Sequence, residues 1–252
     1  MDVASLPCPG IMLNWIDLDH LPKLGVNIHN KDVLAIGYDR EQLAGAVEKH
    51  SPRSITILTK WADHSDAKMG DLKVTIGDIC SEDIFDANQF DVVTSLSVLE
   101  HIDLPSAFAN IHRILRPGGI CASHFGPVWS GPYGHHLYLD PNDPLLHFSG
   151  GKLPGWMHLL SSPTEIRTFY LDNGYSDEAV RQVLIHLFET DMINRVMYED
   201  YFDYINQHFT ITNTHMLYNH CPSELYKILR KKFPRYHDFS TYGGAWAAVR
   251  RD

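Results

Sequence analysis

Hydrophobic positions along residues 33–123 alternate between short apolar runs and stretches with helical spacing. Apolar runs that end in glycine or a turn predict strands, and Leu43, Ala46 and Val47 recur at the interval of a helix face. Such alternation is typical of a parallel sheet covered by helices on both faces. The predicted strands are residues 33–36, 54–58, 72–76, 90–95 and 119–123, and the predicted helices are 41–50 and about 106–115.

The pattern changes after residue 123. Residues 124–162 are rich in glycine, proline, aromatic residues and histidine, and their apolar residues follow neither the spacing of a helix nor that of a strand. A loop of this length in a compact domain is usually functional or disordered, and its aromatic content argues against disorder. We therefore predict one domain over residues 1–252, with residues 124–207 as an inserted loop and helical cap. The later predicted elements are helices at 163–173, 176–207 and about 224–232, and strands at 208–217 and 243–251.

Composition and charge narrow the class of protein. The 252 residues can bury one large core, and no apolar run approaches the roughly 20 residues that cross a bilayer. The N-terminus lacks the regions of a signal peptide, which predicts a soluble cytoplasmic protein. Four cysteines without a CxxC pair disfavour a disulfide framework and a cysteine-rich zinc site. A net charge of −10, with no basic tract beyond residues 230–235, disfavours nucleic acid and favours a small-molecule partner.

Ligands of parallel α/β sheets bind outside the carboxyl ends of the strands. The stretch FDVVTSLSVLEHI, residues 90–102, followed by ILRPGG, residues 114–119, resembles the fourth strand and the next turn of class I S-adenosylmethionine-dependent methyltransferases, in their small-molecule branch. The resemblance implies a Rossmann-like α/β fold with a seven-stranded, mostly parallel sheet, helices on both faces and a last strand antiparallel to the others. It also implies S-adenosylmethionine as the cofactor.

The resemblance places cofactor-binding residues after three strands. The Asp78 carboxylate would face the adenine amino group and Ile79 the adenine ring, whereas Ser95 and Leu96 would lie beside the methionine end. A turn or helix cap is the alternative role of Asp78, and a tight strand-to-helix turn is the alternative for residues 95–97. The predicted cofactor-binding residues are Gly37, Tyr38, Asp78, Ile79, Ser95 and Leu96.

Two positions depart from the family pattern. Only Gly37 remains of the glycine cluster after the first strand, and Thr59-Lys60 stands where the family has an acidic residue that binds both ribose hydroxyls. Such losses together are worth a few kcal/mol, or about a hundredfold in affinity. Either the chain binds the cofactor in an altered way, with Tyr38 or Trp61 stacking on it, or it is a degenerate subunit that binds a partner protein or ligand. Residues 180–204 are apolar enough to supply a surface for such a partner, although core burial or a cap explains them equally well.

Histidines are concentrated in the long loop. Methyl transfer from a sulfonium is an in-line displacement, so the enzyme positions a nucleophile and, for a hydroxyl, removes its proton. Of the 16 histidines, five lie in or at the edge of residues 124–162, and His135 and His136 are the candidate catalytic bases. We expect methylation of oxygen, ahead of nitrogen, on a small polar metabolite or sugar-like acceptor. Lid packing or surface exposure is the alternative for these histidines.

No metal site is predicted. Some methyltransferases that use a divalent ion carry Glu-x-x-Glu-His after the fourth strand, whereas this chain has Ser97 in the first position, before Glu100 and His101. A helix-start pair is the simpler role for Glu100 and His101. Imidazoles of the loop could complete a metal site in principle, so metal dependence stays open at this level, as do the identity of the acceptor and a homo- or hetero-oligomeric state.

Overall fold

The structure is a computed structural model that describes residues 2–8, 18, 20–38, 40–60 and 72–252. For residues 40–42, 44 and 46 it describes the backbone only. Two positions weighed in the sequence, Asp39 and Trp61, lie outside the described residues. No helix within the described ranges is long and apolar enough to cross a membrane.

The chain divides into two compact units, each assembled from separate stretches. The sheet unit comprises Leu13–Phe125, Tyr201–His215 and Gly244–Asp252, and the helical unit comprises Met1–Met12, Gly126–Asp200 and Met216–Gly243. The sequence predicted a single domain with an insertion at residues 124–207. Whether the two units act as one domain is not decided by this division, so that assignment stays a prediction.

Seven strands of the described chain form one sheet in the order β3-β2-β1-β4-β5-β7-β6. The neighbours among β1 to β5 pair in parallel, and β7 runs antiparallel to β5. The strands are β1 Asp32–Ile36, β2 Ser54–Thr59, β3 Leu72–Ile76, β4 Phe90–Leu96, β5 Leu115–Phe125, β6 Phe209–Tyr218 and β7 Thr241–Arg250. The predicted seven-stranded, mostly parallel Rossmann-like sheet is confirmed.

Helices of the described chain are α1 His20–Lys23, α2 Arg40–His50, α3 Leu104–Ile114, α4 Met157–Leu160, α5 Pro163–Asp172, α6 Asp177–Leu184, α7 Tyr198–His208 and α8 Ser223–Lys232. Helix α3 begins two residues before the predicted start, because Asp103 caps it by accepting from the Ser106 N–H at 3.0 Å. Pro105 lies in the first turn, where its missing N–H costs nothing.

The prediction of one helix over residues 176–207 is wrong. Helix α6 ends in a π-helical turn, Ile185–Glu189, and α7 starts only at Tyr198. Between them, the side chains of Thr190 and Asn194 accept hydrogen bonds from backbone N–H groups two residues later. These local bonds compete with helical bonds, and the positive φ of Arg195, 54°, does not fit a helix.

The predicted strand at residues 119–123 is longer in the structure, since β5 begins at Leu115. The register passes from Phe90 opposite Leu115 to Val92 opposite Ile120, so the RPGG residues form a bulge within the strand instead of a turn before it. Gly118 has a φ of +71°, which explains the glycine at that point of the bulge.

Apolar residues cover both faces of the sheet unit. On one face, buried residues of β1 and β2 such as Val33 and Ile57 belong to a core cluster with Leu21 of α1 and Leu43 of α2. On the other face, the rings of Phe108, Tyr201 and Trp246 pack edge to face, with centroids 6.1 to 6.3 Å apart. The predicted helices on both faces are therefore present.

Charged residues tie the amino ends of four strands together. Asp32 of β1 accepts from Arg53 Nε at 2.9 Å and from Arg116 Nη2 at 2.9 Å. Asp91 of β4 accepts from the Asp32 N–H at 2.8 Å and pairs with Arg116 at 2.8 Å. The hydrogen bond from Arg53 is the main reason that the pKa of Asp32 lies well below its ordinary value. This cluster lies at the edge opposite the carboxyl ends, and we interpret it as structural.

Candidate active site

The carboxyl ends of β1 and β4 are adjacent, because β1 pairs in parallel with β2 on one side and with β4 on the other. The strand order reverses here, and open α/β sheets bind ligands outside such a reversal. Gly37 follows β1 with a φ of +79°, and a Cβ atom there would lie 2.5 Å from the Leu96 carbonyl oxygen and would overlap the Val98 side chain. The close approach of the two strand ends therefore requires glycine at position 37.

The side chain of Tyr38 turns into the apolar core. It is 5% exposed, belongs to the same core cluster as Leu43, and its hydroxyl lies 3.0 Å from Oγ1 of Thr94. Little ring surface is left for a ligand. The predicted stacking of Tyr38 on the cofactor stays a prediction, and this burial argues against it.

At the end of β4, the side chain of Ser95 points to the neighbouring strand. Its Oγ lies 2.7 Å from Oγ of Ser123 in β5, and both side chains are buried. After Leu96, Ser97 has a φ of +49°, and its N–H donates to the His124 carbonyl at 3.0 Å. The tight turn weighed in the sequence is therefore present, and Leu96 and Ser97 keep accessible surface at this strand end whereas Ser95 is buried.

Lys60 and Asp78 form an ion pair at the carboxyl ends of β2 and β3. Lys60 Nζ lies 2.7 Å from Asp78 Oδ2, with the two side chains 51% and 36% exposed. Asp78 Oδ1 accepts from the Cys80 N–H at 2.9 Å, so the turn-capping role is real. Partial burial would raise the pKa of Asp78, but the hydrogen bonds from Lys60 and Cys80 outweigh it and lower the pKa below its ordinary value. The carboxylate is thus ionised, oriented and accessible.

Ile79 is buried, and the neighbouring residues Glu100 and His101 after β4 differ in exposure. Ile79 is 3% exposed, and its carbonyl accepts from Asn110 Nδ2 at 2.7 Å. Its predicted contact with an adenine ring stays a prediction, and this burial argues against it. Glu100 is 4% exposed in the short 3₁₀ turn Leu99–His101, whereas His101 is exposed. In the described part of the chain, no three His, Cys, Asp or Glu side chains are grouped as a metal site.

His135 lies in the interior of the helical unit. It is fully buried, and its Nδ1 accepts from the Leu137 N–H at 2.9 Å, which leaves the proton of the neutral ring on Nε2. Its ring centroid lies 5.0 Å from that of His158, whose Nε2 donates to the Trp129 carbonyl at 2.8 Å. Burial lowers the pKa of His135 well below its ordinary value and that of His158 to about 4. Both rings are therefore neutral at pH 7.

His136 differs from its neighbour in exposure and tautomer. The residue is half-buried with a φ of +49°, and its Nδ1 lies 2.8 Å from the Gly134 carbonyl. A carbonyl only accepts, so Nδ1 carries a proton, and in the neutral form of the ring the lone pair is on Nε2. His186 Nε2 lies 3.0 Å from the carbonyls of both His135 and His136. Of the two predicted bases, only His136 has accessible surface.

Sequence reasoning missed two pairs of residues. It noted Lys60 as a departure from the family but did not pair it with Asp78, because the two lie 18 positions apart and meet only through strand pairing. His20 and His124 are both buried in the sheet unit with ring centroids 6.5 Å apart, and burial, followed by His20, lowers the pKa of His124 to about 4. The sequence counted His124 among the loop histidines, because it follows the predicted strand 119–123, whereas in the structure it lies within β5. His20 precedes the first strand, so no pattern pointed to it.

The predicted site residues fall into two groups. His135 and His136 belong to the helical unit, together with His158 and His186. The predicted cofactor residues belong to the sheet unit and lie after or at the ends of β1, β3 and β4: Gly37, Tyr38, Asp78, Ile79, Ser95 and Leu96.

The strand order and the glycine turn at the β1–β4 reversal define a class I methyltransferase fold. Residues 20–123 match the family model described as a methyltransferase domain. Over residues 20–123 and in the order of its strands, the chain is similar to the class I S-adenosylmethionine-dependent methyltransferases. No curated protein sequence matches the chain.

Solved structures with this fold include a geranyl diphosphate C-methyltransferase from Streptomyces coelicolor A3(2), in complex with Mg²⁺, geranyl diphosphate and S-adenosyl-L-homocysteine. It is 13% identical, with a TM-score of 0.54 over 92% of this chain and 76% of that one. A Haloferax volcanii protein described as a methyltransferase, in complex with the Trm112 methyltransferase activator, is 13% identical. Its TM-score is 0.55, and the alignment covers 94% of this chain and 90% of that one. A Listeria monocytogenes protein described as an S-adenosylmethionine-dependent methyltransferase is 13% identical. Its TM-score is 0.54, and the alignment covers 93% of this chain and 97% of that one. At these identities the likeness concerns the fold.

Proposed function

We propose that the protein transfers a methyl group from S-adenosylmethionine to an oxygen atom of a small polar or sugar-like acceptor. The observation that carries the proposal is the reversal of strand order at β1 and β4, where Gly37 turns the backbone against the end of β4. Ligands of such sheets bind at this point. The match of residues 20–123 to a methyltransferase domain supports methyl transfer as the reaction.

The residues at the carboxyl edge fit an adenosine cofactor in part. Asp78 offers an ionised, accessible carboxylate, and the backbone at Gly37 and Leu96 lies at the strand reversal. Lys60 stands where a carboxylate would suit the ribose, so the ribose must be held in another way. When bound, S-adenosylmethionine supplies an electrophilic methyl group on a sulfonium. In the proposal, Gly37, Asp78 and Leu96 hold this cofactor.

His136 is the base in this proposal. A hydroxyl acceptor must lose a proton as the methyl group arrives, and a neutral imidazole with its lone pair on Nε2 can take it. The hydrogen bond between Nδ1 and the Gly134 carbonyl fixes that tautomer. His135, predicted beside it, is fully buried and uses its Nδ1 lone pair for Leu137, so we propose a supporting role for it.

Calorimetric titration with S-adenosylmethionine and S-adenosylhomocysteine tests the cofactor. We expect both to bind, and the absence of binding at millimolar ligand would falsify the assignment.

The substitution His136→Asn tests the base, since asparagine tolerates the left-handed backbone at this position but cannot take the proton. Turnover should fall about 10²- to 10⁴-fold while affinity for S-adenosylhomocysteine stays unchanged. His147→Asn is the matched control in the same loop. Near-full turnover of the His136 variant would remove histidine from the mechanism.

The alternative, a degenerate subunit that binds a partner, loses part of its support in the structure. Residues 180–204 are apolar enough for either a partner surface or core burial, and Val180, Val183, Leu187 and Met197 are buried. Among the described residues of this segment, Met192 is the large apolar side chain that is exposed, at 60%. Size-exclusion chromatography with light scattering distinguishes the two functions, since an active monomer argues against an obligate subunit.

A further inference from the structure

The ion pair of Lys60 and Asp78 joins two groups that the sequence places in different roles. Lys60 directly follows β2, and Asp78 lies two residues after β3. The strands pair in parallel up to Thr59 and Ile76, and the Gly77 N–H donates to the Thr59 carbonyl at 2.8 Å. The backbone of both strand ends is therefore fixed, and the two side chains meet from defined positions.

The pair presents one donor group and one acceptor group to a ligand. Lys60 has three N–H donors, and the contact with Asp78 uses one of them. The carboxylate has about four acceptor sites, and Lys60 and the Cys80 N–H use two. The bond from Cys80 also holds the carboxylate plane in place. Both side chains keep exposed surface, at 51% and 36%.

A ribose carries two neighbouring hydroxyl groups, and each of them can donate and accept a hydrogen bond. A lone carboxylate binds such a diol by accepting from both hydroxyls, which is how acidic residues hold the ribose in related sheets. An ammonium only donates, so Lys60 alone cannot replace that carboxylate. A lysine and aspartate pair can, because one hydroxyl donates to the carboxylate and the other accepts from the ammonium.

We infer that Lys60 and Asp78 together form a donor–acceptor clamp for the ribose diol of the cofactor. Asp78 then meets the ribose, where the resemblance alone had placed it against the adenine amino group. The inference rests on the proposed function, and it explains how the chain holds a nucleoside without a carboxylate after β2. Lys60 is a specificity-determining residue in this account.

The test compares the affinities of S-adenosylhomocysteine and of its 2′-deoxy and 3′-deoxy analogues by calorimetry. Wild-type protein should prefer the ribose form over each analogue by about tenfold or more, since hydrogen bonds to charged groups are among the stronger ones. Because each hydroxyl meets one partner, Lys60→Met should bring the preference over one analogue to within about threefold, and Asp78→Asn should do the same for the other analogue. The matched control is Lys73→Met, an exposed lysine of β3 away from the carboxyl end, which should keep the wild-type preference.

The outcomes separate the clamp from the proposed function. Equal wild-type binding of all three ligands overturns the clamp while leaving the cofactor assignment intact, whereas binding of none of them overturns the cofactor assignment itself. A second probe, S-inosylhomocysteine, lacks the adenine amino group. If Asp78→Asn alters only the discrimination between adenine and hypoxanthine, Asp78 meets the base and the clamp is wrong. Lys60→Met removes no backbone cap, so it remains informative if Asp78→Asn unfolds.

Discussion

At the scale of single residues, two kinds of constraint act at the carboxyl edge of the sheet. Gly37 is fixed by the fold, because its left-handed backbone and the nearby Leu96 carbonyl exclude any side chain. Lys60 and Asp78 keep exposed surface and are open to a ligand. The glycine was predictable from the sequence as the residue that ends a buried strand. The pairing of Lys60 with Asp78 was not, because a contact between strand ends depends on register.

Gly37→Ala should lower the free energy of unfolding by about 2–4 kcal/mol, from the left-handed backbone and from overpacking against Leu96 and Val98. Urea unfolding measures the change. Gly45→Ala is the control, since Gly45 lies in α2 and a methyl group at that position would meet no atom within 4 Å, so the helix should gain up to about 1 kcal/mol. A neutral Gly37→Ala would mean that the two strand ends lie too far apart to exclude a side chain.

At the scale of elements, the first five strands could be predicted because each is a short apolar run that ends at a turn signal. The boundaries at residues 115 and 189 could not. Leu115 joins β5 through a bulge that depends on its partner Phe90, and the break after α6 depends on side-chain bonds of Thr190 and Asn194. Both boundaries depend on contacts with particular neighbouring residues, and the spacing of apolar residues along the sequence carries no information about such contacts.

The amino ends of β1, β2, β4 and β5 depend on Asp32, and its substitution tests that link. Asp32→Asn should lower the free energy of unfolding by about 1–3 kcal/mol, because Arg53 and Arg116 lose a charged acceptor. Thermal and urea unfolding measure it. Asp177→Asn removes an exposed ion pair with Arg167 and should change nothing measurable. Equal effects of the two substitutions would contradict the structural role of the cluster.

At the scale of the whole molecule, buried histidines make stability depend on pH. Burial lowers the pKa of His124 and of His158 to about 4, from about 6.5 in an unfolded chain. Between these values the unfolded state binds more protons than the folded state, so stability rises with pH. The two buried, neutral histidines therefore make their full contribution to the free energy of unfolding above about pH 6.5, and this contribution is lost as the pH falls toward 4.

The urea midpoint should thus fall steadily between about pH 6.5 and pH 4. The positive charge of Lys232 also lowers the pKa of His158, whereas the hydrogen bond to the Trp129 carbonyl opposes this shift, and the neighbouring His135 ring is neutral. His158→Gln can keep a donor for the Trp129 carbonyl and removes the titrating group. The urea midpoint of this variant should therefore change less steeply with pH than that of the wild type. Identical slopes would show that His158 is already protonated or solvated in the folded protein.

The helical unit is built from three stretches of chain, and this order governs when it can form during synthesis. Buried Trp156 donates its indole N–H to the carbonyl of Phe239, and the Gly155 N–H donates to the carbonyl of Pro7. The central sheet likewise needs β7 between β5 and β6. Neither unit is a continuous piece of a growing polypeptide, so both must wait until Phe239 and the strand Thr241–Arg250 have left the ribosome. We therefore expect a stalled nascent chain ending near residue 235 to remain sensitive to protease along its whole length.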